Sequence, residues 1–296
     1  MSQSMNSESM KCLAKRYQFL SSLYRDEISV EFIASLQKDE FLKPINEAVK
    51  ECCFSDLISG AKMISEFLQN GSAQQLYERL RYDYADLFLN AGTNPVFPYE
   101  SPIRTGEPIV MQDPVFELRK YFRRAGVHKS TGYKDLEEHI AVQMEFLRYL
   151  LEKSYEDLYL NFFEDKFSKW VPLFCEQVII VTRSNRSLTQ QDTSLNTGNI
   201  TEFYQGLAYF TRGVVTSEAS IIRGDIRAKE LAEKMYPAFD SLNLSPEYIT
   251  LEEGVLNPEP SKTIPTHCYT CGALCGMSAE LKDGVLIKTK GLKGDP

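Results

Sequence analysis

The sequence predicts an all-α fold, and three observations carry that prediction. Apolar residues recur at three- and four-residue steps, strand-like alternation is almost absent from 11–240, and proline collects in two windows instead of being scattered. Leu136, Ile140, Met144, Leu147 and Leu151 share one helical stripe, with Glu137, Glu138, Glu145, Arg148 and Glu152 mostly off it. Similar patterns run through 13–36, 57–68, 76–89, 115–122, 158–181 and 203–235. Several short amphipathic helices bury their stripes against one another, so a helical bundle is the expected class.

Proline marks the interruptions, because the residue before it is pushed out of the α region. Pro95, Pro98, Pro102, Pro108 and Pro114 make 90–114 a long inter-helical loop, and long loops in compact domains often carry function. Pro246, Pro258, Pro260 and Pro265 make 239–266 a linker. The Ser/Thr/Asn/Gln-rich stretch 183–199 reads as a surface loop. After the linker, 277–282 and 285–290 are strand-like runs joined by Asp283-Gly284, a strong hairpin signal. The expected organisation is a helical domain over 1–238, a linker over 239–266, and a cysteine knuckle with a β-hairpin over 267–296.

The chain has 296 residues, 43% of them hydrophobic, and a net charge of −8, enough apolar material for one or two ordinary cores. An acidic balance without a long basic block argues against nucleic-acid binding, which needs a basic face to displace counterions. The longest clearly apolar run, Val178-Ile179-Ile180-Val181, is far short of the ~20 residues of a membrane span. The N-terminus lacks the basic-then-apolar order of an export signal, so a cytoplasmic protein is expected.

Seven cysteines fit a disulfide framework poorly. Cys12, Cys52, Cys53 and Cys175 are scattered through the helical pattern and read as packing residues. Cys268, Cys271 and Cys275 follow a Cys-x2-Cys-x3-Cys spacing on a loop that Gly272 and Gly276 let turn tightly. Their thiolates suit a 4Fe–4S cluster or zinc, with the fourth ligand missing; His267 is the nearest candidate but adjoins Cys268. Phosphate-loop, dinucleotide, zinc-protease and serine-hydrolase motifs are absent, so no enzyme activity is expected.

Two resemblances to known families follow from ordered motifs. Cys268, Cys271 and Cys275, the Lys282-Asp283-Gly284-Val285 hairpin and Gly294-Asp295-Pro296 resemble the opening of the iron–sulfur domain of molybdopterin oxidoreductases, over about thirty residues. Tyr84-Ala-Asp-Leu87-Phe88-Leu-Asn90, Pro98-Tyr99-Glu100-Ser101, Leu136-Glu137-Glu138-His139-Ile140 and Met144-Glu145-Phe146-Leu147 resemble the TorD/DmsD/NarJ family of cytoplasmic redox-enzyme maturation chaperones. Asn90 stands where that family has glycine, and asparagine tolerates a positive φ. Glu138 stands for its aspartate and Pro102 for an apolar residue.

The second resemblance implies a TorD-like helical bundle. Its implied partner is an apo molybdopterin oxidoreductase, bound by its N-terminal leader and held for cofactor insertion, with no cofactor required. Tyr84, Leu87, Phe88, Tyr99, Glu100, Ser101, Glu138 and His139 become candidate peptide-binding residues. Tyr84, Leu87 and Phe88 share one helical face and read either as apolar anchors or as core. Glu100 either meets a client arginine or caps a helix. Glu138 and His139 diverge by about 100° if helical, and His139 is either a packing residue or a titrating switch. An acidic chain suits a basic leader. The first resemblance leaves an alternative: an iron–sulfur or electron-transfer protein, or a fragment of a fused oxidoreductase. The sequence is compatible with a monomer or a domain-swapped dimer.

Overall fold

A computed structural model describes residues 7–130, 132–189, 202–242, 244, 251–253, 262–267, 276–282 and 285–291. Helix dominates, in the order α1 (Ser7–Tyr24), α2 (Val30–Leu36), α3 (Asp39–Lys50), α4 (Ser55–Leu68), α5 (Ala73–Phe88), α6 (Glu100–Thr105) and α7 (Asp113–Ala125). The strand β1 (Val127–Lys129) precedes α8 (Ile140–Glu152) and α9 (Glu156–Phe162). A π turn over Phe163–Phe167 leads into α10 (Ser168–Thr189), then α11 (Glu202–Ile222) and α12 (Ile226–Asp240). Four short strands follow: β2 (Leu251–Glu253), β3 (Lys262–His267), β4 (Gly276–Lys282) and β5 (Val285–Gly291).

Local chemistry writes many of these boundaries. Ser72 and Gln75 form a reciprocal capping box at the start of α5, and the Asp225 carboxylate accepts from the Arg227 and Ala228 amides at the start of α12. Gly106 and Gly126 end α6 and α7 in the left-handed conformation. Pro114 stands in the first turn of α7, where its missing N–H costs nothing.

The helices pack as one bundle. α11 lies against α4, α10 and α12, and α1 lies between α8 and α12. Glycines set the α4–α11 spacing: a methyl group at Gly60 would stand 2.7 Å from the Gly206 carbonyl, and one at Gly213 would stand 2.6 Å from the Leu57 nitrogen. Across the core, Arg16 of α1 and Glu218 of α11 form a buried ion pair at 3.1 Å, and the Tyr159 hydroxyl donates to the same carboxylate. Trp170, Tyr17 and Tyr204 are fully buried nearby in sequence-distant helices.

The bundle agrees with the expected fold, but several elements differ from the periodicity. The stretch 13–36 is two helices, and 203–235 is two helices separated at Gly224, which takes φ 88°. The helix expected from Leu136 begins at Ile140, because the His139 imidazole caps it by accepting from the Ala141 amide. Glu138 and His139 therefore precede the helix. The 90–114 loop contains α6, since Pro102 falls within a first helical turn. α10 runs to Thr189, into the stretch expected as loop, whose remainder lies outside the described residues. Cys52 and Cys53 fall between α3 and α4, half-buried and exposed; among the described cysteines only Cys12 and Cys175 are core thiols.

The linker region also carries structure. β2 pairs antiparallel with β1, matching Val127 with Glu253 and Lys129 with Leu251. The expected hairpin forms from β4 and β5, and β3 adds a third strand, placing Pro265 on a sheet edge. Its Asp283-Gly284 turn and the cysteines Cys268, Cys271 and Cys275 lie outside the described residues. No described helix is long and apolar enough to cross a membrane.

Candidate functional site

The motif residues converge on a buried polar network where α6, α8 and the π turn meet. The chain first returns on itself after α5. Asn90 takes φ 61°, the Ala91 amide bonds back to the Ala85 carbonyl, and the Val96 amide reaches the Leu87 carbonyl at 2.7 Å. The Pro98–Ser101 segment then runs antiparallel to the approach to α8: Tyr99 bridges His139, Ile140 donates to the Pro98 carbonyl at 2.8 Å, and Glu100 donates to the Glu138 carbonyl.

Glu100 is fully buried. Its carboxylate accepts from Lys166 Nζ at 2.7 Å, Arg104 Nη1 at 3.1 Å and Gln143 Nε2 at 2.8 Å. Gln143 in turn accepts from the Trp170 indole at 3.1 Å, and Lys166 also donates to the Pro114 carbonyl. A buried charge needs such pairing, because desolvation of an isolated carboxylate costs many kcal/mol.

Glu138 ties down the loop between α6 and α7. Its carboxylate accepts from the Ser101 amide at 2.8 Å and from the Met111 amide, and Met111 takes the left-handed φ of 61°. The Ser101 hydroxyl accepts from the Gln112 amide at 3.0 Å. Burial pushes the Glu138 carboxyl up to about 7, against the opposing pull of those donors and with help from the Glu100 charge. Burial likewise pushes the His139 imidazole down to about 4, so it stays neutral near pH 7 as a cap. Tyr99 donates to Asp135 at 2.7 Å and meets the His139 ring edge-on.

Tyr84 and Phe88 pack in an aromatic cluster with Tyr24, Phe174 and Tyr204, and Leu87 is buried beside them. Of the eight candidate residues, seven are buried and Tyr99 is half-buried.

A groove of about 720 Å³ lies between the 90–97 segment and α10. Pro95, Val96, Phe97, Pro108, Ile180 and Val181 give it apolar walls, and Asn90, Thr93, Asn94 and Gln177 add hydrogen-bonding groups. Ile180 is 53% exposed, and Leu173, two helical turns earlier, is 52% exposed. Periodicity had not singled out this groove, Gln143 or Lys166. One signal was available: Phe162, Lys166, Trp170 and Phe174 stand four apart, a lone cation on an aromatic stripe.

Comparison with known proteins bears on what such a groove is for. The chain matches the family model described as "Nitrate reductase delta subunit" over residues 55–176, a span holding all eight candidates and Lys166. It is 26% identical over 175 residues to the chaperone protein TorD of Vibrio cholerae serotype O1, covering 55% of this chain and 78% of that protein. It is 26% identical over 188 residues to that of Vibrio parahaemolyticus, covering 55% and 80%. Against the TorD chaperone of Shewanella piezotolerans the identity is 23% over 212 residues, covering 68% of this chain and 88% of the relative. The chain is similar to the nitrate reductase delta subunit family over residues 55–176 and to these TorD chaperones over 55–68% of its length. No solved structure matches the chain. The family match ends at residue 176, before the C-terminal strands. Among the described residues, no group of three or more His, Cys, Asp or Glu could hold a metal ion.

Proposed function

We propose that this chain is a redox-enzyme maturation chaperone like the TorD proteins it resembles, that it binds the N-terminal leader of an apo molybdopterin oxidoreductase in the groove between the 90–97 segment and α10, and that it holds the enzyme for cofactor insertion. The observation that carries this reading is the apolar wall of exposed Ile180 and Pro108 and half-buried Phe97, set among neutral hydrogen-bonding side chains. An apolar peptide segment gains from burial there, and the Asn and Gln amides can bond its backbone. Among the described residues none that lines the groove is charged, so in this reading it takes the apolar stretch of a leader. A basic leader end is favoured by the net charge of −8, which speeds encounter more than it fixes the pose.

In this reading the buried motif residues act as positioning residues. Glu138 and Ser101 fix the 106–112 loop that brings Pro108 to the groove, and the Tyr99–His139 bridge anchors the strand-like end of the 90–97 wall.

The test is titration of the full chain with leader peptides from molybdopterin oxidoreductases of the same genome. Binding in the micromolar range is expected, and Ile180→Lys should weaken it at least about tenfold, a loss of about 1.4 kcal/mol, without lowering the melting temperature. Absence of binding by every leader, or indifference to Ile180→Lys, would sink the reading.

A further inference from the structure

β5 meets the helical body at one closely fitted place. The Thr289 hydroxyl donates to the Val110 carbonyl at 2.7 Å, and Lys288 Nζ stands 4.4 Å above the Phe116 ring of α7. Thr289 is buried there. Successive side chains of a strand project to opposite faces of its sheet. Contacts from both 288 and 289 therefore mean that the body meets the outer edge of β5, which is an edge strand of the β3–β4–β5 sheet. An edge strand of that kind is ordinarily a site for further pairing, and here Lys288 and Thr289 of it are engaged by the helical body.

Charge favours this seating. Residues 262–296 carry five lysines against three acidic residues, whereas the whole chain is −8, so a basic module rests on an acidic body. The surface beneath it is also connected to the groove. Val110 and Pro108 belong to one short loop whose Met111 amide is held by Glu138, and Pro108 lines the groove. One loop thus presents its two ends to two occupants.

We propose that the 106–112 loop and the Phe116 face of α7 form a second docking surface, contiguous with the groove and suited to the edge of a basic β-hairpin. The chain's own C-terminal sheet is its resident occupant. The competing partner in this proposal is a β-hairpin of the same kind following a client's leader, taken from the sequence resemblance of 268–296 to the opening of a molybdopterin oxidoreductase. That identification of the competitor rests on the leader-binding reading; the docking of the sheet does not.

Hydrogen exchange on the full chain tests the docking. Lys288→Glu with Thr289→Val should speed amide exchange in both 106–112 and 285–291 about tenfold, and Phe116→Ala, in a different element, should speed 285–291 likewise. Ionic strength of about 0.5 M should act in the same direction, by screening. Unchanged exchange in 106–112 in the double variant, or in 285–291 in Phe116→Ala, overturns it.

Affinity tests the competition. A leader peptide alone should bind wild type and the double variant equally. A fragment extended through the client's first cysteine-containing hairpin should bind the double variant about tenfold more tightly, because the resident sheet no longer lowers the competent fraction. Equal affinity of the longer fragment for both chains overturns the competition. If no leader binds either chain, the groove reading fails while the exchange result still decides the docking.

Discussion

Lys166 Nζ lies 2.7 Å from the Glu100 carboxylate, and both side chains are almost wholly withdrawn from solvent. The pair joins the π turn to α6, and removing one partner leaves the other charge in a medium that solvates it poorly. Lys166→Met is expected to cost about 3 kcal/mol in urea denaturation. Adding Glu100→Gln in the same chain should recover about 1 kcal/mol or more of that loss, since the stranded charge is gone. A Lys166→Met chain as stable as wild type would show that Arg104 and Gln143 suffice to hold the carboxylate.

Glu138 and His139 are neighbours with opposite proton linkage. The Glu138 pKa is raised to about 7 from an ordinary 4.5, so its contribution to stability is present below pH 4.5 and is lost as pH rises towards 7. The His139 pKa is lowered to about 4 from 6.5, so its contribution is present above 6.5 and is lost as pH falls towards 4. Between these limits the two slopes oppose each other, each of at most about 1.4 kcal/mol per pH unit. Glu138→Gln should therefore make stability rise more steeply with pH over roughly 4.5–6.5 than in wild type. His139→Asn, which keeps a capping side chain, should make it fall more steeply. Denaturation at a series of pH values reads both; parallel curves for all three chains would refute the linkage.

Gly60 is a packing constraint. With the Gly206 carbonyl 2.7 Å from where a methyl group would sit, Gly60→Ala must push α4 away from α11. The expected destabilisation is about 2–3 kcal/mol, despite the better helix propensity of alanine. Gly71→Ala, whose nearest neighbour is a glutamine side-chain oxygen at 3.4 Å, is the control and should be close to neutral.

The helical core was largely legible in the sequence, because stripes such as Ile140, Met144, Leu147 and Leu151 are local signals of a buried face, and all four are buried. Asn90 was legible for the same reason: a positive φ is a property of one residue and its turn. The network was not, since Glu100 and Lys166 are 66 positions apart and only tertiary packing brings them together. The groove escaped for a related reason, as its two walls come from 90–97 and α10. His139 was misplaced on a helix because periodicity cannot tell a capping side chain from one on the first turn.

Metal removal is expected to leave the bundle intact. The core is hydrophobic across all the major helices, and Cys268, Cys271 and Cys275 fall outside the family-matched span. We propose that any iron–sulfur cluster or zinc at these three thiolates is dispensable for leader binding. Treatment of anaerobically purified protein with a chelator should leave helical circular dichroism and leader affinity unchanged, with metal analysis reporting what was removed. Loss of affinity on chelation would make the cysteines part of the working site.

The π turn at 163–167 sets the rotational phase of everything after it. A single residue taken out of that turn would restore ordinary helical winding and rotate the 22 residues of α10 by about 100°. Trp170 would leave Gln143, and Ile180 would swing off the groove wall. One surplus residue, wound into a wider turn, is what keeps the inner lysine and the outer isoleucine facing their different tasks.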